Sequence, residues 1–127
     1  MSIIRLARSS DAADICAIYA PVVRETAISF ELEPPTVDVM TSRLAAVEAA
    51  GLPWLVHEDN DTVTGYAYAA RHRGDRPAYH WSVEVSVYIA AAARGRGVGH
   101  ALYATLFDIL AFQNIQNAYA GATLPNE

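Results

Sequence analysis

A strand, a glycine-rich loop and a helix follow one another in the second half of this chain, and this junction constrains the fold most. Residues 81–89 alternate apolar and polar side chains, as expected for a strand with two different faces (WSVEVSVYI). The loop at residues 94–99 (RGRGVG) places glycine at every second position. An apolar stripe then recurs at helical spacing: Val98, Ala101, Leu102, Leu106, Ile109 and Leu110. A strand that enters a helix in this way predicts a mixed α/β fold, with helices packed on a sheet.

The loop has the composition of a phosphate-binding loop. Its glycines let the backbone approach a ligand closely, and the helix N-terminus offers free N–H groups and positive charge. The chain contains no lysine, which excludes the Walker pattern, and the dinucleotide fingerprint fits poorly. The alternative is a glycine-rich turn between strand and helix in which Arg94 and Arg96 are merely solvated.

Composition limits the class of protein. With 127 residues, of which 53% are hydrophobic, the chain is expected to form one domain over residues 1–127. No apolar run reaches the length of a membrane span, and the N-terminus lacks the pattern of a secretory signal. The single cysteine, Cys16, cannot form an internal disulfide, so a cytoplasmic protein is expected. A net charge of −5 argues against nucleic acid as a partner.

The first half of the chain predicts one strand and two helices. Residues 2–7 read as a strand, followed by helix-capping residues and a helical pattern that Pro21 is expected to kink or end early. A second helix begins after Pro34–Thr36 and stops near Gly51. Its apolar face is formed by Val37, Met40, Leu44 and Val47.

The remaining pattern predicts four more strands. Residues 54–58 and 62–70 form a hairpin across Asp59–Asp61, residues 79–89 form the central strand, and residues 118–123 form a fifth strand. The predicted order is βααβββαβ.

The loop pattern Arg-x-x-Gly-x-Gly after a strand resembles the pyrophosphate loop of the GNAT N-acetyltransferases. The match extends over the whole chain, in order, to the phosphinothricin acetyltransferase-like branch of that superfamily. It is carried by the segments 18–19, 29–31, 34–36, 78–89 and 124–126, together with Thr26. The resemblance implies the GNAT fold, a twisted mixed sheet flanked by helices. Members of the family continue with a further helix and two strands, so the resemblance implies a C-terminally incomplete domain, either truncated or completed by a partner subunit.

The resemblance implies acetyl-CoA as the cosubstrate. Its pyrophosphate would be held by Arg94, Gly95, Arg96, Gly97, Val98, Gly99 and His100, with a further contact from Asn126. The family's fourth and fifth strands splay apart, and the backbone of Val87, Tyr88 and Ile89 would line the opened edge. An N–H group there would polarise the thioester carbonyl.

Glu84 is the candidate general base. Strand alternation places it on the polar face with Ser82, Ser86 and Tyr88, and partial desolvation in a central strand would make it a stronger proton acceptor. The residues alone leave open a solvated face or a structural ion pair with an arginine. The family resemblance favours the base, with a water as possible relay.

By the same resemblance, the acceptor pocket is formed by Phe30, Glu31, Arg73, Arg76 and Tyr79. An arginine fork suits carboxylate or phosphinate oxygens, so the expected acceptor is a small amine carrying an anionic group. Acceptors of the branch are phosphinothricin, methionine sulfoximine and methionine sulfone. The four histidines lack metal-ligand spacing, so no metal is expected.

Two alternatives to this interpretation remain at this point. Without the last helix and strands, the chain could bind coenzyme A and not catalyse. It could instead acetylate another amine or a peptide N-terminus. Members of the branch are generally dimers, so a homodimer is expected in each case.

Overall fold

A computed structural model of the chain describes residues 2–25, 34–71, 82–113 and 117–120. Its helices are α1 (Ala12–Glu25), α2 (Val37–Ala49) and α3 (Val98–Phe112). Its strands are β1 (Ser2–Leu6), β2 (Trp54–Asp59), β3 (Thr62–Arg71), β4 (Ser82–Ile89) and β5 (Asn117–Ala120). Short 3₁₀ turns lie at Ser9–Asp11 and Ala91–Ala93. The order βααβββαβ is confirmed.

The described strands form one five-stranded sheet in the order β1-β2-β3-β4-β5. The pairs from β1 to β4 are antiparallel, whereas β5 runs parallel to β4. The change of direction follows from α3, which crosses over the sheet between β4 and β5 and returns the chain to the same end.

Each face of the sheet is covered by different helices. Helices α1 and α2 pack over one face, where Val56, Tyr66 and Tyr88 are buried. Helix α3 packs over the other, where Val85 and Val87 meet Leu102 and Leu106. The predicted alternation along β4 is therefore confirmed for its described residues, since the valines face α3 and Tyr88 faces α1.

The predicted early end of the first helix at Pro21 is wrong. Helix α1 continues to Glu25, four residues beyond the proline. Proline removes one backbone hydrogen bond and costs roughly 3 kcal/mol inside a helix. Burial of Ile15, Tyr19 and Val22 against the sheet offsets that cost, since each fully buried apolar side chain contributes about 1.5–3 kcal/mol.

The hairpin turn is tighter than its predicted three residues. Strand β2 includes Asp59, and the turn consists of Asn60 and Asp61, with φ angles of 51° and 68°. Two residues in the left-handed region are typical of the type I′ turn, whose twist matches that of the flanking strands. The hairpin carries one irregularity, a register shift between His57 and Glu58 that leaves Thr64 without a directly opposed residue.

Two further observations concern the remaining expectations. No helix in the described ranges is long and apolar enough to cross a membrane. Cys16 is half-buried on α1, with its thiol 3.6 Å from the Thr36 carbonyl oxygen, and burial raises the pKa of that thiol. A raised pKa keeps the thiol protonated, as expected for a packing residue rather than a nucleophile.

Candidate functional site

The glycine-rich loop connects the end of β4 to the start of α3. The chain leaves β4 at Ile89, makes the 3₁₀ turn at Ala91–Ala93, and then passes through Gly95 and Gly97, with φ angles of +80° and +79°. Both angles lie in the left-handed region, where a Cβ atom is strained. Gly97 is the N-cap of α3, and no side chain caps this helix.

The N-terminus of α3 is therefore open. The Ala101 N–H donates to the Gly97 carbonyl oxygen at 3.0 Å, so the N–H groups of residues 98–100 precede that bond. Arg94 and Arg96 are exposed and form no ion pair with any described residue. Free N–H groups, the positive end of the helix dipole and two guanidinium groups are together suited to bind an anion.

A small cavity of about 200 Å³ opens beside this loop. Its lining combines loop residues with the end of β4: Ile89, Ala93, Arg94, Gly95, Gly97, Val98, Gly99 and His100. All but Ile89 and Ala93 are predicted pyrophosphate contacts, and Ile89 is predicted for the pantetheine arm. Arg96 does not line the cavity.

Sequence reasoning missed Gly65 on β3, which supports the loop from beneath. A Cβ atom there would lie 3.0 Å from Ile89 Cδ1 and 3.2 Å from Val98 Cγ1, so a larger residue would require these side chains to move by a few tenths of an ångström. The Thr64 carbonyl oxygen also accepts the Ala90 N–H at 2.8 Å, which fixes the start of the loop. A glycine inside an otherwise regular strand pattern is the signal that could have found this position.

The register of β4 decides which backbone groups it presents to its outer edge. Ala90 donates to Thr64 directly opposite on β3, and hydrogen-bonded pairs alternate along an antiparallel ladder. Tyr88 therefore bonds toward Tyr66 on β3, whereas the N–H groups of Val87 and Ile89 point away from β3. The register with β5 runs from Ser82 to Val85, so Val87 and Ile89 lie beyond the paired segment.

Glu84 lies on the same face of the sheet as Tyr88. It is partly buried and lies opposite Ala70 on β3. Among the described residues, no hydrogen bond or ion pair engages its carboxylate, so the structural ion pair with an arginine is not found there.

Aromatic rings form a contiguous cluster on this face of the sheet. Trp54 stacks on Tyr68 at 4.1 Å, and Tyr88 contacts Tyr66 at 5.4 Å and Tyr19 at 5.2 Å between ring centroids. Burial raises the pKa of Tyr66 well above its ordinary value, so this phenol stays neutral.

Six predicted site residues lie outside the described residues: Phe30, Glu31, Arg73, Arg76, Tyr79 and Asn126. Within the described ranges, no group of three or more histidine, cysteine, aspartate or glutamate side chains is arranged to hold a metal ion.

Known proteins are similar to this chain in sequence. The chain is 48% identical over 103 residues to a phosphinothricin N-acetyltransferase of Alcaligenes faecalis, covering 81% of this chain and 52% of that protein. It is 40% identical over 108 residues to an L-methionine sulfoximine/L-methionine sulfone acetyltransferase of Salmonella typhimurium, covering 83% and 61%. The chain thus spans about half to two thirds of the length of these relatives.

A solved structure and a family model agree with these relatives. The crystal structure of a GNAT superfamily phosphinothricin acetyltransferase from Sinorhizobium meliloti, in complex with acetyl-CoA, superposes with a TM-score of 0.89 at 32% identity, covering 94% of this chain and 64% of that one. Residues 4–127 match the model of the acetyltransferase (GNAT) domain. This chain belongs to the GNAT acetyltransferase family.

Proposed function

We propose that this chain carries the acetyl-CoA site and the general base of an N-acetyltransferase acting on a small, amino-acid-like amine. The observation that carries the proposal is the open N-terminus of α3, which follows the end of β4, where no described strand pairs with the outer edge of Val87 and Ile89. One ligand with a phosphate at one end and a carbonyl at the other would use both features.

The loop would hold the pyrophosphate of acetyl-CoA. The N–H groups of residues 98–100 and the guanidinium groups of Arg94 and Arg96 supply the positive charge, while the glycines allow close approach. The N–H groups of Val87 and Ile89 are the donors available to the pantetheine arm and to the thioester oxygen. A donor fixed at the developing oxyanion lowers the barrier by roughly 3–4 kcal/mol.

Glu84 would remove a proton from the acceptor ammonium group. The neutral amine nitrogen then attacks the thioester carbon, a new C–N bond forms, and the C–S bond breaks to release the coenzyme A thiolate. The acetylated nitrogen loses its second proton, and the thiolate takes up one proton, so the products are the neutral amide and coenzyme A. Holding both reactants in line supplies much of the rate, so the grip on the cofactor is itself catalytic.

The acceptor class rests on the relatives named for phosphinothricin, methionine sulfoximine and methionine sulfone. The pocket residues Phe30, Glu31, Arg73, Arg76 and Tyr79, and the cofactor contacts of Tyr88 and Asn126, stay predictions. Residence in the cytoplasm and a homodimer are also proposals, which fractionation and solution mass measurement would test.

The test is acceptor-dependent thiol release from acetyl-CoA, with phosphinothricin and methionine sulfone as acceptors. We expect Glu84→Gln to lower kcat by about 100-fold, within the range for loss of a general base. Glu48→Gln is the matched control, because Glu48 is an exposed carboxylate on α2, and it should keep full activity. Equal rates for wild type and Glu84→Gln would disprove the role of Glu84, and no release with any amine would disprove the transferase.

A further inference from the structure

The irregularity in the β2–β3 hairpin adds one residue to β3. His57 pairs with Gly65, and the next residue along β2, Glu58, pairs with Val63. Thr64 therefore has no directly opposed residue, which makes this a β-bulge. The regular ladder with β2 is interrupted at such a residue, so its position depends on the contacts that its own groups make.

Thr64 is bonded to both neighbouring strands. Its hydroxyl lies 2.7 Å from His57 Nδ1 and 3.3 Å from the His57 carbonyl oxygen, so its side chain is held by β2. Its carbonyl oxygen accepts the Ala90 N–H at 2.8 Å, so its backbone is held by the residue that follows β4. One residue thus connects an imidazole on β2 to the start of the glycine-rich loop.

The His57 ring is buried, which makes its bond to Thr64 difficult to replace. His57 is 9% exposed and lies on the face of the sheet that α3 covers, as does Leu55 two residues earlier. A buried ring nitrogen that loses its hydrogen-bond partner lowers stability, because water cannot take the partner's place. The bond forms in either neutral tautomer, since the hydroxyl can donate to Nδ1 or accept from it.

We propose that the His57–Thr64 pair positions the glycine-rich loop for acetyl-CoA, acting through the Thr64 carbonyl oxygen on Ala90. This inference rests on the proposed function. The chain leaves β4 at Ala90 and then passes through the loop to Gly97 and the open N-terminus of α3. With Ala90 held, the loop is ordered before the ligand arrives, so binding does not have to supply the free energy of ordering it. His57 and Thr64 are therefore positioning residues.

The first test compares Thr64→Val with Thr64→Ser. Valine keeps the shape of threonine without the hydroxyl, so it should raise the KM for acetyl-CoA about tenfold and change kcat by less than about twofold. Coenzyme A alone, titrated by calorimetry, should also bind about tenfold more weakly. Serine keeps the hydroxyl and should bind coenzyme A nearly as well as wild type. Thr62→Val is the matched control, because Thr62 is exposed on the same strand, and its affinity should not change.

The second test separates positioning from stability. Thr64→Val alone leaves the buried His57 ring without its partner, so the melting temperature should fall. Adding His57→Leu removes both polar groups, which should return the melting temperature most of the way to that of wild type. The double variant should still bind coenzyme A weakly, because nothing holds the bulge residue that bonds to Ala90.

Three outcomes would contradict these expectations. Recovery of both affinity and melting temperature in the double variant would show a packing role and overturn the inference. Wild-type affinity of Thr64→Val would overturn it as well, and in both cases the proposed function would stand. A wild type that does not bind coenzyme A would overturn the proposed function and the inference together.

Discussion

The N-termini of α2 and α3 are built in opposite ways. At α2, the Thr36 hydroxyl accepts the Val39 N–H at 3.1 Å, and the Thr36 carbonyl oxygen accepts the Met40 N–H at 2.9 Å. At α3, the capping residue is Gly97, which has no side chain to offer. In α2, the capping residue accepts hydrogen bonds from N–H groups of the first turn. In α3, no side chain caps the first N–H groups, which leaves them able to bind a ligand.

The difference shows how little stability an open site costs. Glycine as an N-cap is only a few tenths of a kcal/mol worse than threonine or serine. The apolar face of α3, with Leu102, Leu106 and Leu110 buried, holds the helix in place without a polar cap. A helix N-terminus without a polar cap can therefore be held in place by the apolar core that its helix packs against.

The contrast between the N-termini of α2 and α3 can be tested by mutation, and the largest effect is expected at Gly97. A Cβ atom at φ +79° is strained by roughly 1–2 kcal/mol and would stand in the proposed path of the acetyl-CoA phosphate. We expect Gly97→Ala to weaken acetyl-CoA binding about 100-fold, measured by isothermal titration calorimetry.

Gly51 offers a matched control for this change. It ends α2 with a φ angle of +75°, and like Gly97 it has no atom within 4 Å of an added Cβ. Gly51→Ala should lose similar stability and keep full affinity. Equal affinities for the two variants would refute the assignment of the loop.

The next effect concerns the segment before α1, where the Asp11 carboxylate binds Arg5 and Arg8. Asp11 accepts the Arg8 N–H at 2.7 Å and both Arg5 guanidinium N–H groups at 2.9 Å, and the hydrogen bonds from Arg5 lower the pKa of Asp11. A lowered folded-state pKa gives stability that is present above the unfolded pKa and is lost as the pH falls through the folded value. Asp11→Asn should therefore destabilise the protein by about 2 kcal/mol at neutral pH, and the difference should shrink as the pH falls below the ordinary pKa of an aspartate and vanish once Asp11 is protonated in the folded protein.

Urea denaturation across this pH range checks the expectation. Asp108→Asn is the control, because Asp108 is an exposed carboxylate on α3 and its loss should change stability by less than about 0.5 kcal/mol. A pH-independent gap between wild type and Asp11→Asn would contradict the linkage. Acetyl-CoA affinity should not change in either variant.

Local sequence was sufficient for the features of this molecule that depend on local geometry. The bounds of α3 were predictable because Gly97 precedes a clean apolar stripe, and the face of Glu84 followed from strand alternation. The continuation of α1 past Pro21 was missed because tertiary burial of Val22 outweighs the backbone penalty, and a local pattern does not report burial.

Other features of the candidate site depend on how β3 pairs with β4. The register of β3 against β4 decides that Val87 and Ile89 present their N–H groups to the open edge, and no local motif encodes that register. Gly65 was missed for the same reason. It matters because of the side chains that pack against it, Ile89 and Val98.

The smallest expected effect concerns Thr36, the residue that caps α2. Thr36→Ala removes the hydroxyl that caps α2, so the Val39 N–H must turn to water, and the free energy of unfolding should fall by about 1 kcal/mol. Thr36→Ser keeps the hydroxyl and should lose little. Neither change should alter acetyl-CoA affinity, because the proposed anion site uses the N-terminus of α3 alone. Stability from urea denaturation and affinity from calorimetry, measured on the same samples, separate the two roles. A loss of affinity in Thr36→Ala would show that the N-termini of α2 and α3 are energetically coupled. It would contradict the assignment of stability to the first terminus and of ligand binding to the second.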